Sequence, residues 1–191
     1  METTRIPAVT PEQAGPLTKL LYRIAERRFG AVPEPFAVTA NHGKLLAASG
    51  IHEVLMERAC TKLPAAIREI AVYRVAWIVG CSWCIDFGAM LMRHGNLDVD
   101  RLEHIAEYET SPLYSADERA AIAYADALTA TPTTVTDDQV ADLEKRFGRA
   151  GVIELTYQIG LENMRSRFNS ALGITTQGFS TDSCRVPWTQ D

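Results

Sequence analysis

Two cysteines separated by two residues are the part of the sequence best suited to chemistry. They occur as Cys81-Ser82-Trp83-Cys84, between an apolar run and a second helical pattern. Such a pair can close into a disulfide or attack a peroxide, provided that the local field favours the thiolate. Cys81 follows Gly80 at a predicted helix start, where backbone N–H groups and the positive end of the helix dipole stabilise a thiolate. The spacing therefore predicts a redox-active dithiol. The alternative is a pair of small buried hydrophobic residues one turn apart.

No metal or cofactor site is expected from the sequence. A structural zinc site needs four ligands, and a second Cys-x-x-Cys or a closely spaced histidine pair is missing. His94 and His104 stand ten residues apart, which is not a common zinc spacing. Haem and flavin signatures are also missing, and the remaining cysteines, Cys60 and Cys184, stand alone. The electrons for a redox reaction would therefore come from an outside dithiol.

Glu69 is the upstream candidate for the proton acceptor that a cysteine nucleophile requires. It precedes Cys81 by twelve residues, which is about 18 Å along a straight helix. Contact therefore requires a turn at Gly80 that folds the cysteine helix back along the preceding one. Without that turn, Glu69 is a solvated carboxylate on a helix surface.

Length and composition indicate one ordinary globular domain. The chain has 191 residues, of which 47% are hydrophobic and 23% charged, enough for one sizeable core. The net charge of −5 argues against a nucleic-acid surface. The apolar runs are too short and interrupted to span a membrane, and the N-terminal segment does not have the pattern of a signal peptide. We therefore expect a cytoplasmic protein without nucleic-acid or membrane partners.

Every strongly periodic segment has helical spacing, so the predicted fold class is all-α, with seven or eight helices. Residues 1–16 are expected to form an extended arm, residues 17–175 a single helical domain, and residues 176–191 an irregular tail. The predicted helices are residues 17–29, 51–59, 64–79, a cysteine helix ending at Gly95, 97–108, 118–130, a short helix after Thr136, and 152–172, and residues 36–46 are a weaker helical segment. Ser115 and Glu118 form a capping-box pattern. Arg74 interrupts an apolar stripe, so it either extends to solvent or pairs with a carboxylate.

The segment LPAAIREIAVYRVAWIVGCSWC, with its spacing Glu69-x11-Cys81-x2-Cys84, resembles the alkylhydroperoxidase D-like / carboxymuconolactone decarboxylase family. The resemblance continues in ERAAIAYADALTATPTTVTDDQVADLEKRFG and VIELTYQIGLENMRSRFNSALG, and covers roughly residues 36–173. It implies a compact multi-helix bundle of the alkylhydroperoxidase D-like type. It also implies a homo-oligomer, either a trimer or a hexamer.

The resemblance further implies a thiol-dependent peroxidase that reduces hydroperoxides. By motif position, Cys84 would attack the peroxide and become a sulfenic acid, and Cys81 would resolve it to a disulfide. An external dithiol protein would then reduce that disulfide. Glu69 would belong to the relay that withdraws the proton.

The chain departs from the family pattern one turn after the second cysteine. A histidine is expected there, and the sequence has Gly88. Asp86 points to roughly the opposite helix face, and His94 lies about 15 Å along the axis. Gly88 leaves space that water, a substrate, or a residue from another helix, such as His42 or His52, could fill.

Two alternative functions remain open. One is a carboxymuconolactone decarboxylase-like acid–base enzyme that acts on a small lactone or carboxylate, in which Glu69 matters and the cysteines do not. Asn163, Arg165 and Arg167 could then bind an anionic group, although Arg167 and Asn169 could equally be polar helix-packing residues at a subunit interface. The other is a non-catalytic oligomeric family member.

Overall fold

The computed structural model describes residues 4–180, which contain helices and no strand. This confirms the predicted all-α class. The helices are α1 (Pro16–Phe29), α2 (Glu34–Thr39), α3 (Gly43–Ala59), α4 (Ala65–Val79), α5 (Ser82–His94), α6 (Ala116–Thr129) and α7 (Asp137–Leu172), with 3₁₀ segments at Ala40–His42 and Asp100–Glu107. Cys184 lies outside the described residues, as does most of the predicted tail.

Several helix ends lie where the local sequence predicts them. Gly80 ends α4 in the left-handed conformation, with φ 75°, which a side chain would disfavour. Ser115 and Glu118 form both bonds of a capping box at the start of α6. The side chain of Thr136 accepts from the Gln139 N–H at the start of α7.

Three segments differ from the prediction. The separate helices expected at 36–46 and 51–59 are instead a short α2, a 3₁₀ turn and the continuous α3. The α-helix expected at 97–108 is a 3₁₀ segment with non-helical φ/ψ at His104. Within α7 the break falls at Gly148, with φ 69° and ψ 166°, rather than beside Gly151. Gly151 is buried against Leu63 and Phe147 within the helix.

The centre of the fold is α4, which packs against α5, α6 and α7. It contributes Ile70 and Tyr73 to one buried cluster and Ala71 and Val75 to another, so it is apolar on nearly all sides. The helix that precedes the cysteines is therefore rigidly placed.

Arg74 is the charged residue inside α4, and it is paired rather than solvated. Its guanidinium donates to both carboxylate oxygens of Asp126 in α6, at 2.7 and 3.0 Å, and to the Ile105 carbonyl at 2.9 Å. This confirms the second of the two predicted alternatives. The pair links α4 to α6 and to the 3₁₀ segment between α5 and α6.

Parts of α1, α3 and α7 expose apolar side chains. Arg28 of α1 bonds Glu57 of α3, and His52 of α3 bonds Tyr157 of α7, so α3 has a contact with each of the other two helices. The exposed apolar residues, here called the α1–α3–α7 surface, are Leu17, Leu20, Ile24, Ile51, Leu55, Ile153, Tyr157 and Met164. None of the helices within residues 4–180 has the length and apolar composition needed to cross a bilayer.

Candidate functional site

The two motif cysteines form a disulfide at the start of α5. Cys81 is the N-cap residue, with its sulfur accepting from the Cys84 N–H at 3.2 Å. Cys84 lies in the first turn, and the two Cα atoms are 5.3 Å apart. Cys81 is 2% exposed and Cys84 8% exposed. The predicted helix start is confirmed, and it points the Cys84 N–H at the Cys81 sulfur.

Asn169, in the last turns of α7, bonds the disulfide from the opposite side. Its side-chain amide donates to the Cys84 Sγ at 3.3 Å and approaches the Cys81 Sγ at 3.8 Å. The side chain is 3% exposed, so it has little competition from water. A donor in this position favours negative charge on the Cys84 sulfur.

The space beside Gly88 is bounded by the ring of Tyr73, a buried residue of α4. A Cβ atom at Gly88 would lie 3.8 Å from Tyr73 Cδ2. The two histidines considered for this space lie elsewhere. His42 caps α3 by accepting from the Leu45 N–H, and His52 bonds the Tyr157 hydroxyl. The idea that either one fills the place of the family's histidine is therefore wrong.

Glu69 lies on α4, half-buried and paired with its neighbour. The Arg68 Nε donates to its carboxylate at 3.0 Å. The turn at Gly80 exists, yet none of the hydrogen bonds within residues 4–180 joins Glu69 to either cysteine. Arg68 also bonds the Cys60 carbonyl, and lies 3.8 Å from Glu154. The relay role of Glu69 stays a prediction.

A second carboxyl group, Glu162, lies buried on α7. It is 5% exposed, and it accepts from the hydroxyl of the fully buried Ser166 at 2.8 Å. The Arg165 guanidinium lies 3.5 Å away and also pairs with Glu53 of α3. Burial raises the pKa of Glu162 to about 7, against the lowering effects of Arg165 and Ser166.

Asp86 holds the chain that follows α7 against the cysteine helix. Its carboxylate accepts four successive backbone N–H bonds of residues 177–180, at 2.6 to 3.0 Å, and the hydroxyl of Ser180. Burial alone would raise its pKa, but these hydrogen bonds hold the pKa of Asp86 below its ordinary value. We call residues 177–180 the C-terminal strap. Within the strap, the side chain of Gln177 accepts a hydrogen bond from the Trp83 Nε1 at 3.1 Å. Trp83 lies between the two cysteines in sequence.

The residues considered for anion binding have partners within the chain. Asn163 donates to Thr129, Arg165 pairs with Glu53 and Glu162, and the exposed Arg167 approaches Asn163. They therefore do not present a joint anion site. A surface cavity of about 410 Å³ lies elsewhere, with Lys62, Ser115 and Arg146 in its lining.

Sequence reasoning missed Asn169 as a contact of the disulfide, and Glu162 as a buried carboxyl group on the same helix. A signal for them does exist in the sequence of α7. Five buried polar residues recur there at intervals of four, four, four and three: Glu154, Gln158, Glu162, Ser166 and Asn169. A polar stripe at this spacing occupies one helix face, and its burial marks a line of internal hydrogen bonds.

Fold and site together define an all-α protein with a Cys-x-x-Cys disulfide at the start of one helix. No protein-family model matches the chain. The chain is 36% identical to the uncharacterized protein YnjA of Escherichia coli over 132 residues, which are 69% of this chain and 70% of that protein. It is 32% identical over 96 residues to a protein of Mycobacterium tuberculosis named alkyl hydroperoxide reductase, covering 49% of this chain and 27% of that one.

Solved structures show the same fold. An alkylhydroperoxidase AhpD core protein from Ralstonia eutropha superposes with a TM-score of 0.79 over 94% of this chain and 95% of that one, at 16% identity. The debrominase Bmp8 superposes with a TM-score of 0.77 over 93% of this chain and 92% of that one, at 19% identity. The chain belongs to the alkylhydroperoxidase D-like family.

Proposed function

We propose that this protein is a thiol-dependent peroxidase that reduces hydroperoxides through Cys84 and Cys81. The observation that carries the proposal is the Cys81–Cys84 disulfide at the start of α5, with the Asn169 amide against Cys84 Sγ. A disulfide between these two residues is the product that such a reaction leaves. The peroxidase-related family is consistent with this chemistry.

Two steps consume the peroxide. The Cys84 thiolate attacks one peroxide oxygen, an S–O bond forms, and the O–O bond breaks. The leaving alkoxide takes a proton and departs as the alcohol, while Cys84 becomes a sulfenic acid. The Cys81 thiolate then attacks that sulfur, an S–S bond forms, and the S–O bond breaks. The departing hydroxide takes a proton and leaves as water.

An external dithiol protein restores the enzyme by thiol–disulfide exchange. One partner thiolate attacks the disulfide and forms a mixed disulfide, which releases the first cysteine of the enzyme. The second partner thiol then attacks the partner sulfur of that mixed disulfide and releases the second cysteine. Two electrons pass from the partner to the protein, and the partner becomes a disulfide. The net reaction converts a hydroperoxide and a dithiol into an alcohol, water and a disulfide.

Cys84 is the better candidate for the attacking residue. Of the two cysteines it is the more exposed, at 8% against 2%, and it has the shorter contact with the Asn169 amide. Cys81, at the N-cap, is within bonding distance of the sulfur that it would resolve. Glu69 remains the predicted upstream member of the proton path, half-buried on the helix before the turn.

The direct test uses two single variants with a small dithiol as the reductant. Cys84→Ser is expected to abolish peroxide consumption. Cys81→Ser is expected to accumulate Cys84 with one added oxygen atom, read by peptide mass after a single exposure to peroxide. Retention of full turnover by both variants contradicts the redox assignment.

The acid–base alternative is separated by the double variant Cys81→Ser/Cys84→Ser. If that variant still converts a small lactone or carboxylate and Glu69→Gln does not, the protein is an acid–base enzyme. The partners already held by Asn163, Arg165 and Arg167 favour the peroxidase instead. A non-catalytic protein would show a Cys84 thiol that titrates like a free cysteine.

The substrate screen should also include a brominated pyrrole, because one structural neighbour is titled a debrominase. Reduction of a carbon–bromine bond by two thiols would form a C–H bond, hydrogen bromide and a disulfide. Turnover of a bromopyrrole but not of hydroperoxides would change the substrate class and keep the dithiol mechanism.

We further propose that a second copy of the chain covers the α1–α3–α7 surface. Leu17, Leu20 and Ile24 are 49–58% exposed on α1, although their spacing is that of a buried helix face. Leu20→Glu with Ile24→Glu is expected to lower the mass measured by sedimentation. An unchanged mass for the double variant, or a monomeric wild-type protein, contradicts the proposal.

A further inference from the structure

Glu162 lies on the face of α7 that leads to the disulfide. Ser166 follows it by four residues and Asn169 by seven, so the three side chains share one stripe of the helix. Ser166 is fully buried and bonds the Glu162 carboxyl group, and Asn169 bonds the Cys84 sulfur. A bonded carboxyl group and hydroxyl therefore lie on the same helix face as the amide that contacts the Cys84 sulfur.

The charges around Glu162 neutralise it only in part. The guanidinium of Arg165 lies 3.5 Å away, but Glu53 of α3 takes two bonds from the same group. The negative charge of Glu53 also disfavours ionisation of Glu162. No other charged side chain within residues 4–180 pairs with Glu162. Burial dominates, and the pKa of about 7 means that the group changes charge at neutral pH.

We propose that Glu162 is a positioning residue for the Cys84 reaction, taking up the thiol proton through Ser166 and returning it to the leaving alkoxide. This inference rests on the proposed peroxidase function. The carboxylate gains the proton when the S–H bond ionises, and loses it when the alkoxide becomes an alcohol. The cycle leaves Glu162 unchanged and consumes no proton.

This arrangement supplies an acid–base group from α7 in a chain whose α5 lacks the family's histidine. Gly88 supplies no side chain, and the ring of Tyr73 borders that space. A carboxyl group that titrates near neutral pH can do the work for which an imidazole is suited, because proton transfer is most efficient near the operating pH.

The test is the pH dependence of Cys84 reactivity in the reduced full-length protein, measured between pH 5 and 9. Two probes are used, hydrogen peroxide and iodoacetamide, and the Cys84 peptide is quantified by mass. For wild type, the rate with each probe is expected to rise through an inflection near pH 7. Glu162→Gln is expected to lose that inflection and to react at least about tenfold more slowly at pH 8.

A purely electrostatic role predicts the opposite shift. A carboxylate that only repels the thiolate would, once removed, let Cys84 ionise at lower pH. A Glu162→Gln profile displaced to lower pH, or superimposed on that of wild type, therefore overturns the proposal.

Two further variants separate the relay from a general structural effect. Glu154→Gln changes a buried glutamate two turns earlier, bonded to the Lys62 and Leu63 N–H groups, and is expected to keep the inflection. Ser166→Ala removes the hydroxyl through which the proton passes, so it is expected to lose the inflection as Glu162→Gln does. Loss of the inflection in Glu154→Gln, or an inflection kept in Ser166→Ala, counts against the proposal.

The two probes also distinguish this inference from the proposed function. If peroxide leaves Cys84 unchanged while the iodoacetamide profile shows the Glu162-dependent inflection, the peroxidase assignment fails and the proton coupling stands. If peroxide oxidises Cys84 with a profile independent of Glu162, the peroxidase assignment stands and the coupling fails.

Discussion

The side-chain amide of Asn169 donates to the Cys84 Sγ at 3.3 Å, across 85 positions of sequence. The contact joins the end of α7 to the first turn of α5. The surroundings of the cysteine motif are therefore formed by two helices, of which only one carries the motif.

Removal of the Asn169 donor should raise the pKa of the Cys84 thiol. A hydrogen bond to a charged group contributes about 1.5 kcal/mol, so Asn169→Ala should raise that pKa by about one unit. The measurement is the pH dependence of Cys84 alkylation in the reduced protein. Asn163→Ala is the matched control, because Asn163 lies on the same helix and donates to Thr129. A shift of equal size in the control would show that the effect comes from the helix rather than from the contact.

Asp86→Asn should release the C-terminal strap from the cysteine helix. The substitution replaces a charged acceptor of four backbone N–H groups with an amide, at an expected local cost of about 3 kcal/mol. Amide exchange at residues 177–180 should then be roughly a hundredfold faster. Asp98→Asn is the control, because Asp98 is exposed and bonds only its own turn.

The strap should also respond to acid. The pKa of Asp86 is lower in the folded protein than in the unfolded chain. The stability that its carboxylate gives to the strap is therefore fully present above the pKa of the unfolded chain, near 4. It is lost as the pH falls through the folded value. The difference in strap exchange between wild type and Asp86→Asn should therefore disappear at low pH. A difference that persists at pH 2 would point to contacts other than the carboxylate.

Glu162 should make the folded protein less stable as the pH rises from 4.5 to 7. In that range the folded protein keeps the proton that the unfolded chain releases, so the free energy of unfolding falls with increasing pH. The expected loss is about 3 kcal/mol, complete above pH 7. The measurement is urea unfolding of wild type and Glu162→Gln at pH 5 and pH 8. The variant should gain about 2.5 kcal/mol relative to wild type between these two conditions, because part of the loss has already occurred at pH 5. A constant difference would refute the raised pKa.

Gly88→Ala should stabilise the protein by about 1 kcal/mol, because glycine inside a helix is less favourable than alanine by that amount. The added Cβ would make an ordinary contact of 3.8 Å with the Tyr73 ring. Gly148→Ala is the opposite case, since φ 69° and ψ 166° suit glycine alone and the substitution should destabilise. Urea unfolding at constant pH measures both. Destabilisation by Gly88→Ala would mean that the space beside α5 cannot accept a side chain.

Helix ends that depend on a few adjacent residues can be predicted from the sequence. The turn at Gly80, the capping box of Ser115 and Glu118, and the N-cap at Thr136 each arise from a few adjacent side chains, and each is confirmed. The 97–108 segment fails because its apolar spacing suits a single buried face in either helix type, and the chain forms a 3₁₀ segment there.

The site was less predictable because it depends on which helix faces meet. Cys81 and Cys84 are adjacent in sequence, and their placement at the helix start is confirmed. Asn169 reaches the site only through the packing of α7 against α4 and α5, which no local pattern encodes. The partner of Arg74 was unresolved for the same reason, since Asp126 lies 52 residues further along the chain.

The Cys81–Cys84 disulfide closes a loop that spans only three positions of sequence. Loop-closure entropy grows with loop length. A ring this short therefore adds about 2 kcal/mol at most to the free energy of unfolding by restricting the unfolded chain. The buried cluster that α4 forms with α6 and α7, through Ala71 and Val75, contains neither cysteine, and neither does the Arg74–Asp126 pair. This part of the scaffold can therefore stay folded whether the S–S bond is closed or open, as the proposed peroxidase cycle requires.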